Sequence, residues 1–173
     1  HADLSSGANI TGEISNTLTI PVNLGSWSSD THGHGTHVAG TLSALNNDIG
    51  IAGIAPNGKL NLHIVKVVHK ANYWFYYASD MIDAVERCQL AGSNVINMSL
   101  AGGTPSVAEE TAMDNAWANG VMLFGAAGNR GNNDYYYPAS YDSVISVGAV
   151  DSSSDVWVNS HTNDQVELTA PGV

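Results

Sequence analysis

Three histidines lie within six residues of this protein, at His32, His34 and His37. Imidazole accepts protons near neutral pH, and it is also a common zinc ligand. The His-x-His-x-x-His spacing therefore allows two chemistries, which are metal-assisted hydrolysis and proton transfer in nucleophilic catalysis. Residues 37–45 continue into a helical pattern, which predicts a histidine at the start of a helix.

The composition narrows the class of protein that carries these histidines. Among the 173 residues, 16 are acidic and 5 are basic, and the formal net charge is −11. The cations are scattered, so we expect no nucleic-acid partner. The length predicts one domain, and a hydrophobic fraction of 43% with 12% charged residues predicts that it is folded and globular. The longest apolar run, residues 121–127, is too short for a bilayer span, so we expect no membrane partner.

The elements that must position the histidines alternate between strands and helices. Strands are predicted over residues 60–68, 94–98, 121–124 and 143–150. One helix is predicted to be capped by Ser79 and to stop at Gly92, and another to start at Thr104-Pro105 and end at Gly120. Residues 5–30 are predicted to be loop, with a hairpin or edge strand around residues 14–22. This order predicts an α/β fold with a doubly wound, mostly parallel sheet and helices on both faces.

Four ordered blocks carry a family resemblance. They are His34-Gly-Thr-His-Val-Ala-Gly40, Val95-Ile-Asn-Met-Ser-Leu100, Gly125-Ala-Ala-Gly-Asn129 and Leu168-Thr-Ala-Pro-Gly-Val173. In this order they resemble the subtilisin-like serine proteases, the subtilases. The resemblance covers the whole sequence and implies a three-layer subtilisin-like fold. It also implies a serine endopeptidase that hydrolyses peptide bonds through an Asp-His-Ser triad.

The resemblance implies two catalytic residues in this sequence. His34 matches the general base, and Asn129 matches the side-chain donor to the oxyanion. His32 is expected to lie in a solvated loop. The resemblance implies that His37 has a structural role in packing. The Asp and Ser blocks of the family do not occur within residues 1–173. We therefore expect a fragment of a single catalytic domain, incomplete at both ends and inactive alone.

The resemblance also implies where an extended polypeptide substrate binds. One wall of the first pocket matches Ser99, Leu100, Ala101 and Gly102, and the opposite wall matches Ala126, Ala127 and Gly128. Ala101 stands where the family has glycine. The small opposite wall leaves room for a large apolar or aromatic side chain. Residues 73–77 lie where members of the family line outer substrate subsites, and packed surface is the alternative interpretation. The Tyr137-Pro138 peptide resembles a position in the family at which the peptide bond is cis.

A structural calcium site is the third implication of the resemblance. Its expected ligands are Asp3, Leu45, Asn47, Ile49 and Ile51, which offer carboxylate, amide and main-chain oxygens.

We expect a secreted, extracellular monomer that binds protein or peptide substrates and a possible propeptide. Cys88 lies in an apolar helical pattern, and we expect it to be a buried, inert thiol.

Two alternatives to the protease remain open on the sequence. A metal-dependent hydrolase would use His32, His34 and His37 as ligands. That spacing resembles the His-x-His-x-Asp-His pattern of metallo-β-lactamases, although Thr36 stands in place of the Asp. A noncatalytic peptide-binding remnant would keep the scaffold without the triad.

Overall fold

The computed structural model of the protein describes residues 1–4, 9–15, 26–67 and 77–173. They divide into two compact units, His1–Ala91 and Gly92–Val173, here called the first and second units. The single domain expected from the length stays a prediction. No helix among these residues combines the length and the apolar character that crossing a membrane requires.

In the first unit, the described residues form two parallel strands and two α-helices. A short 3-10 helix at Ala2–Leu4 precedes β1 (Ile10–Ile14), α1 (His34–Ser43), β2 (Leu62–Lys66) and α2 (Ala78–Leu90). Strand β1 pairs with β2 so that Ile10 faces Leu62. Helix α2 packs on β2 and buries one apolar stripe. That stripe contains Met81, Ala84, Val85 and Cys88.

The Cys88 thiol fits the inert group predicted from the sequence. Its side chain is buried in α2. Burial, together with the charge of Glu13, raises the pKa of the thiol to about 11. The reactive thiolate is therefore rare at neutral pH, which does not favour a cysteine nucleophile.

The second unit is a four-stranded parallel sheet with one helix. In sequence order it contains β3 (Val95–Met98), α3 (Val107–Ala118), β4 (Met122–Ala126), β5 (Ile145–Val150) and β6 (Val166–Pro171). The strands lie in the order β3-β4-β5-β6. Ile96 on β3 faces Leu123 on β4, and both side chains are buried. Helix α3 packs on β4 and buries Met113 and Ala116.

The predicted elements are confirmed, but several of their boundaries were wrong. Both helices stop where glycines adopt positive φ, at Gly92 (+80°) and Gly120 (+84°), as predicted. Helix α2 begins at Ala78, so Ser79 is inside the first turn and is not the cap. Helix α3 is capped by Ser106, not Thr104, because the Ser106 hydroxyl accepts from the Glu109 main-chain N–H at 3.4 Å.

Two further differences concern the strands. Strand β6 was not predicted at all. Strand β1, Ile10–Ile14, lies where the sequence predicted loop, and it pairs in parallel with β2. The hairpin or edge strand expected around residues 14–22 stays a prediction. Residues 16–25 lie outside the described residues.

The start of α1 is organised by the carboxylate of Asp30. Its Oδ1 accepts main-chain hydrogen bonds from His32 (3.1 Å) and Gly33 (2.8 Å). Its Oδ2 accepts from the main-chain N–H and the hydroxyl of Thr36, at 2.9 and 2.8 Å. Burial opposes ionisation of this carboxyl, but the four hydrogen bonds outweigh it and lower the pKa to about 2. The helix N-terminus that carries His34 is therefore held by an ionised side chain.

We predict that Asp30→Ala destabilises the protein at neutral pH by about 1 kcal/mol, the level of an exposed capping interaction. That loss lowers the Tm by about 3 °C. Because the native state favours the carboxylate, its contribution is present above the ordinary pKa of 3.8 and is lost as the pH falls towards 2. Thermal unfolding of both proteins between pH 2 and 8 measures this difference.

The control is Asp114→Ala, which removes an exposed aspartate from α3. It should change the Tm by less than about 1 °C at every pH, as is usual for exposed positions. Equal unfolding of Asp30→Ala and the wild-type protein at pH 7 would contradict the role given to Asp30.

Candidate functional site

His34 is the first residue of α1, and its side chain is exposed. Gly33 before it has a φ of +91°, a left-handed conformation that favours glycine. The rings of His32 and His34 lie edge to face, with centroids 6.3 Å apart. The predicted histidine at a helix start is confirmed, and it lies at the solvent boundary.

The three histidines do not assemble a metal centre. Among the described residues, which include His32, His34 and His37, no three His, Cys, Asp or Glu side chains are grouped so that they could hold an ion. This arrangement does not favour the metal-dependent hydrolase. His37 is exposed, so the packing role expected for it is not seen. His32 is exposed, as expected for solvated loop.

The two segments predicted to form the pocket walls lie at the same edge of the sheet in the second unit. Strands β3 and β4 are parallel neighbours, and Met98 faces Gly125. Residues 99–102 follow β3 directly, while residues 126–128 complete and follow β4. The carboxyl ends of neighbouring parallel strands are where loops of α/β proteins form binding sites. The register therefore places both walls side by side.

The first wall, residues 99–102, is half-buried and is tied to a second strand-like segment. The main-chain N–H and the carbonyl oxygen of Gly102 each bond to Tyr137, both at 2.7 Å, in an antiparallel bridge. The amide of Asn97 donates to the Ser99 hydroxyl at 2.9 Å. The Tyr137-Pro138 peptide is cis, as predicted. Both main-chain polar groups of Gly102 are thus already used within the wall.

The second wall, residues 126–128, leads into Asn129. Ala127 is buried, and its main-chain N–H donates to the carbonyl oxygen of Val147 at 3.0 Å. Gly128 has a φ of +122°, a conformation that favours glycine. Asn129 is exposed, and no hydrogen bond within the described residues involves its side-chain amide. The amide is therefore available to an external acceptor.

The first unit brings the Asp3 carboxylate to the 45–51 loop. Asp3 is only 3% exposed, and its main-chain carbonyl oxygen accepts from the Leu45 N–H at 3.0 Å. The Asn47 amide donates to Asp3 Oδ1 at 3.4 Å. Gly50 has a φ of +65°, and a Cβ at that position would overlap the Asp3 carboxylate. The loop can approach Asp3 this closely because residue 50 is glycine.

The oxygens around Asp3 fit a hard cation. Nδ1 of His1 lies 3.9 Å from Oδ2, so a buried carboxylate has little compensation. Asn47 Oδ1 accepts one bond, from the Ile49 N–H at 2.9 Å. Within the described residues, no hydrogen bond reaches the main-chain oxygens of Leu45, Ile49 or Ile51. Carboxylate, amide and carbonyl oxygens are the donor set that calcium prefers.

Two supporting residues were missed by the sequence analysis. Asp30 holds the start of α1, and His161 is buried against Gly128. A carboxylate just before a helix is a recognisable signal, but Asp30 is three residues before the Gly33 cap. The residues of the expected outer subsites, 73–76, lie outside the described part of the protein, whereas Tyr77 is exposed.

Comparison with known proteins places these observations in one family. The model of the subtilase family, peptidase family S8, matches residues 10–173. Subtilisin DY of Bacillus licheniformis is 43% identical over 152 residues, which cover 86% of this chain and 54% of that protein. Subtilisin E of Bacillus subtilis (strain 168) is 42% identical over 148 residues, which cover 83% of this chain and 38% of that protein. The sequence thus spans about half or less of these relatives.

A solved structure supports the fold class. The crystal structure of the psychrophilic subtilisin-like protease Apa1 from the Antarctic psychrotroph Pseudoalteromonas sp. AS-11 matches with a TM-score of 0.86 and 43% identity. The match covers 99% of this chain and 38% of that one. It confirms the predicted α/β fold with a parallel sheet and helices. The chain belongs to the subtilase family.

Proposed function

We propose that this chain is part of a secreted serine endopeptidase in which His34 is the general base and Asn129 is the oxyanion donor. The observation that supports this most is the exposure of both groups at the ends of ordered elements. His34 opens α1, and Asn129 follows β4. In this proposal the Asp and Ser of the triad belong to parts of the protein outside residues 1–173.

The proposed reaction is acyl transfer to a serine hydroxyl followed by hydrolysis. His34 takes the proton from the hydroxyl as its oxygen attacks the scissile carbonyl, and returns it to the leaving amine. A water molecule then releases the acyl group by the same proton transfers. The Asn129 amide donates a hydrogen bond to the carbonyl oxygen as it becomes negative. The hydrogen bonds of Asp30 keep the His34 turn in place during both transfers.

The substrate is proposed to bind as an extended polypeptide along residues 99–102. Within the described residues, no main-chain hydrogen bond involves Leu100 or Ala101, so their N–H and carbonyl groups can pair with the substrate. Ala126, Ala127 and Gly128 form the facing wall, and their small side chains leave room for a large apolar or aromatic residue. The methyl group of Ala101 narrows the pocket on its own side. A propeptide would bind in the same extended form, and the enzyme would act outside the cell as a monomer.

We predict that His34→Ala in the full-length protein lowers kcat/KM for a peptide substrate by at least about 1000-fold, because the serine loses its base. His37→Ala separates this mechanism from metal-dependent hydrolysis. His37 is one helical turn further along α1, and the triad mechanism gives it no chemical role. Steady-state kinetics of both variants, with circular dichroism to check folding, make the comparison.

Near-normal activity of a folded His34→Ala variant would contradict the proposal. Equal large losses in both variants would instead favour the metal-dependent hydrolase. A protein that binds peptides with no turnover, before any substitution, would be the noncatalytic remnant.

We also propose that calcium binds Asp3 and Asn47 through their side chains, and Leu45, Ile49 and Ile51 through their main-chain oxygens. The buried Asp3 carboxylate is the group that most needs a cation. A bound ion would supply its compensating charge and join the 3-10 helix to the 45–51 loop. Its role is structural, and it takes no part in the proposed acyl transfer.

We predict that removing calcium with a chelator lowers the Tm of the full-length protein. A ligand present at about 100 times its Kd stabilises the native state by about 3 kcal/mol. Asp3→Asn should abolish most of this calcium-dependent shift. Asp48→Asn is the matched control, since Asp48 is exposed in the same loop but is not in the proposed ligand set.

Calorimetry of the three proteins, with calcium and with chelator, measures the shifts. An unchanged Tm on chelation, or a full calcium shift in Asp3→Asn, would contradict the calcium site.

A further inference from the structure

His161 is a buried titratable residue that the proposed chemistry does not use. Its side chain is 1% exposed and lies between Gly128 and Tyr136 in the second unit. The rings of His161 and Tyr136 meet edge to face, with centroids 4.6 Å apart and an interplanar angle of 73°. The imidazole is therefore enclosed directly behind the second pocket wall.

The His161 ring lies so close to Gly128 that no residue with a side chain fits at position 128. A Cβ at position 128 would lie 2.6 Å from both Cε1 and Nδ1 of the imidazole. The φ of +122° at Gly128 also disfavours a side chain there. The ring thus fills the space against the Gly128 Cα, and the position of this Cα depends on the ring.

Hydrogen bonding does not explain why a histidine occupies this place. Within the described residues, neither Nδ1 nor Nε2 has a hydrogen-bond partner. A buried polar atom without a partner costs folding free energy, which an apolar ring would avoid. The imidazole therefore acts on its surroundings through packing, against Gly128 on one side and the Tyr136 ring on another.

The backbone around His161 binds the loop on both sides of Asn129. The His161 N–H donates to the Gly128 carbonyl oxygen at 3.1 Å. The Gly131 N–H donates to the Asn159 carbonyl oxygen at 2.8 Å. Asn129 thus lies between two anchored glycines, Gly128 and Gly131.

We propose that His161 is a positioning residue, which holds the Gly128–Asn129 peptide so that the Asn129 amide points at the oxyanion. The proposal rests on the oxyanion role given to Asn129 above. Asn129 acts on charge that develops in the transition state, so displacing it should lower kcat and leave KM nearly unchanged. A catalytic group misplaced by about 1 Å can cost about 100-fold in rate.

The test is a double-mutant cycle in the full-length protease, with His161→Ala and Asn129→Ala alone and together. We expect Asn129→Ala to lower kcat by about 100- to 1000-fold, a magnitude taken from a subtilisin. His161→Ala alone should lower kcat by about 10-fold or more, with KM within about 2-fold of wild type. In the Asn129→Ala background it should lower kcat by less than about 2-fold, because the group it positions is gone.

Two further variants separate positioning from general loss of stability. Met113→Ala creates a cavity at a fully buried position in α3, and it should lower the Tm without the loss in kcat. His161→Phe keeps a ring against Gly128 and should keep kcat near the wild-type value. If His161→Ala does not fold, His161→Asn, which also removes the ring, replaces it in the cycle with the same expectation.

The outcomes distinguish this inference from the proposed function. If Asn129→Ala lowers kcat as expected and the His161 substitution lowers it by the same factor in both backgrounds, only the inference is overturned. An unchanged kcat in folded His161→Ala also overturns it. If Asn129→Ala itself leaves kcat unchanged, the oxyanion role fails, and the positioning role fails with it.

Discussion

The parallel pairing of β3 with β4 is the constraint on which the candidate substrate site depends. Met98 faces Gly125, so the backbone leaves both strands at the same level. A slip of β3 by one residue would exchange its buried and exposed faces and move Ile96 out of the core, away from Leu123. The hydrophobic pattern of the two strands therefore determines where the pocket walls lie.

Close packing beneath β4 adds to this constraint. A Cβ at Gly125 would lie 2.8 Å from the Ala139 Cα, so the backbone of residue 139 packs directly on the strand. Residues 137 and 138 precede this contact, and Tyr137 forms the bridge to Gly102. The same short segment thus packs against β4 and pairs with the first wall. Backbone contacts therefore hold both predicted pocket walls in place.

Each proposed catalytic group is exposed but is held by a residue that is not itself part of the proposed chemistry. Asp30 bonds to the first turn of α1, and the His161 ring contacts the residue before Asn129. In the proposed mechanism the Asn129 amide meets the substrate, while Gly128 and Gly131 beside it are held by main-chain hydrogen bonds. This division is what preorganised electrostatic stabilisation requires, since donors that are already oriented need no rearrangement during the reaction.

The sequence predicted most of the elements, but it did not predict the residues that support the candidate site. Helix ends at Gly92 and Gly120 were predictable because a positive φ favours glycine locally. The start of α3 was not, because Ser106 is also held by the Tyr141 hydroxyl, which accepts from its N–H at 2.9 Å. That contact joins residues 35 positions apart and leaves no local signal. Strand β6 was missed although Val166, Leu168 and Ala170 alternate with Glu167 and Thr169, which is the pattern of a strand. His161 is buried only because the backbone returns to Gly128.

The measurement that tests the central claim most directly is labelling of the full-length protein with a fluorophosphonate, read by intact mass. This reagent reacts with a serine that a neighbouring base has activated. The account predicts one adduct per molecule in the wild-type protein and strongly slowed labelling in folded His34→Ala. Labelling at equal rates in the two proteins, or no labelling of an active wild-type protein, would contradict the claim that His34 activates a serine nucleophile.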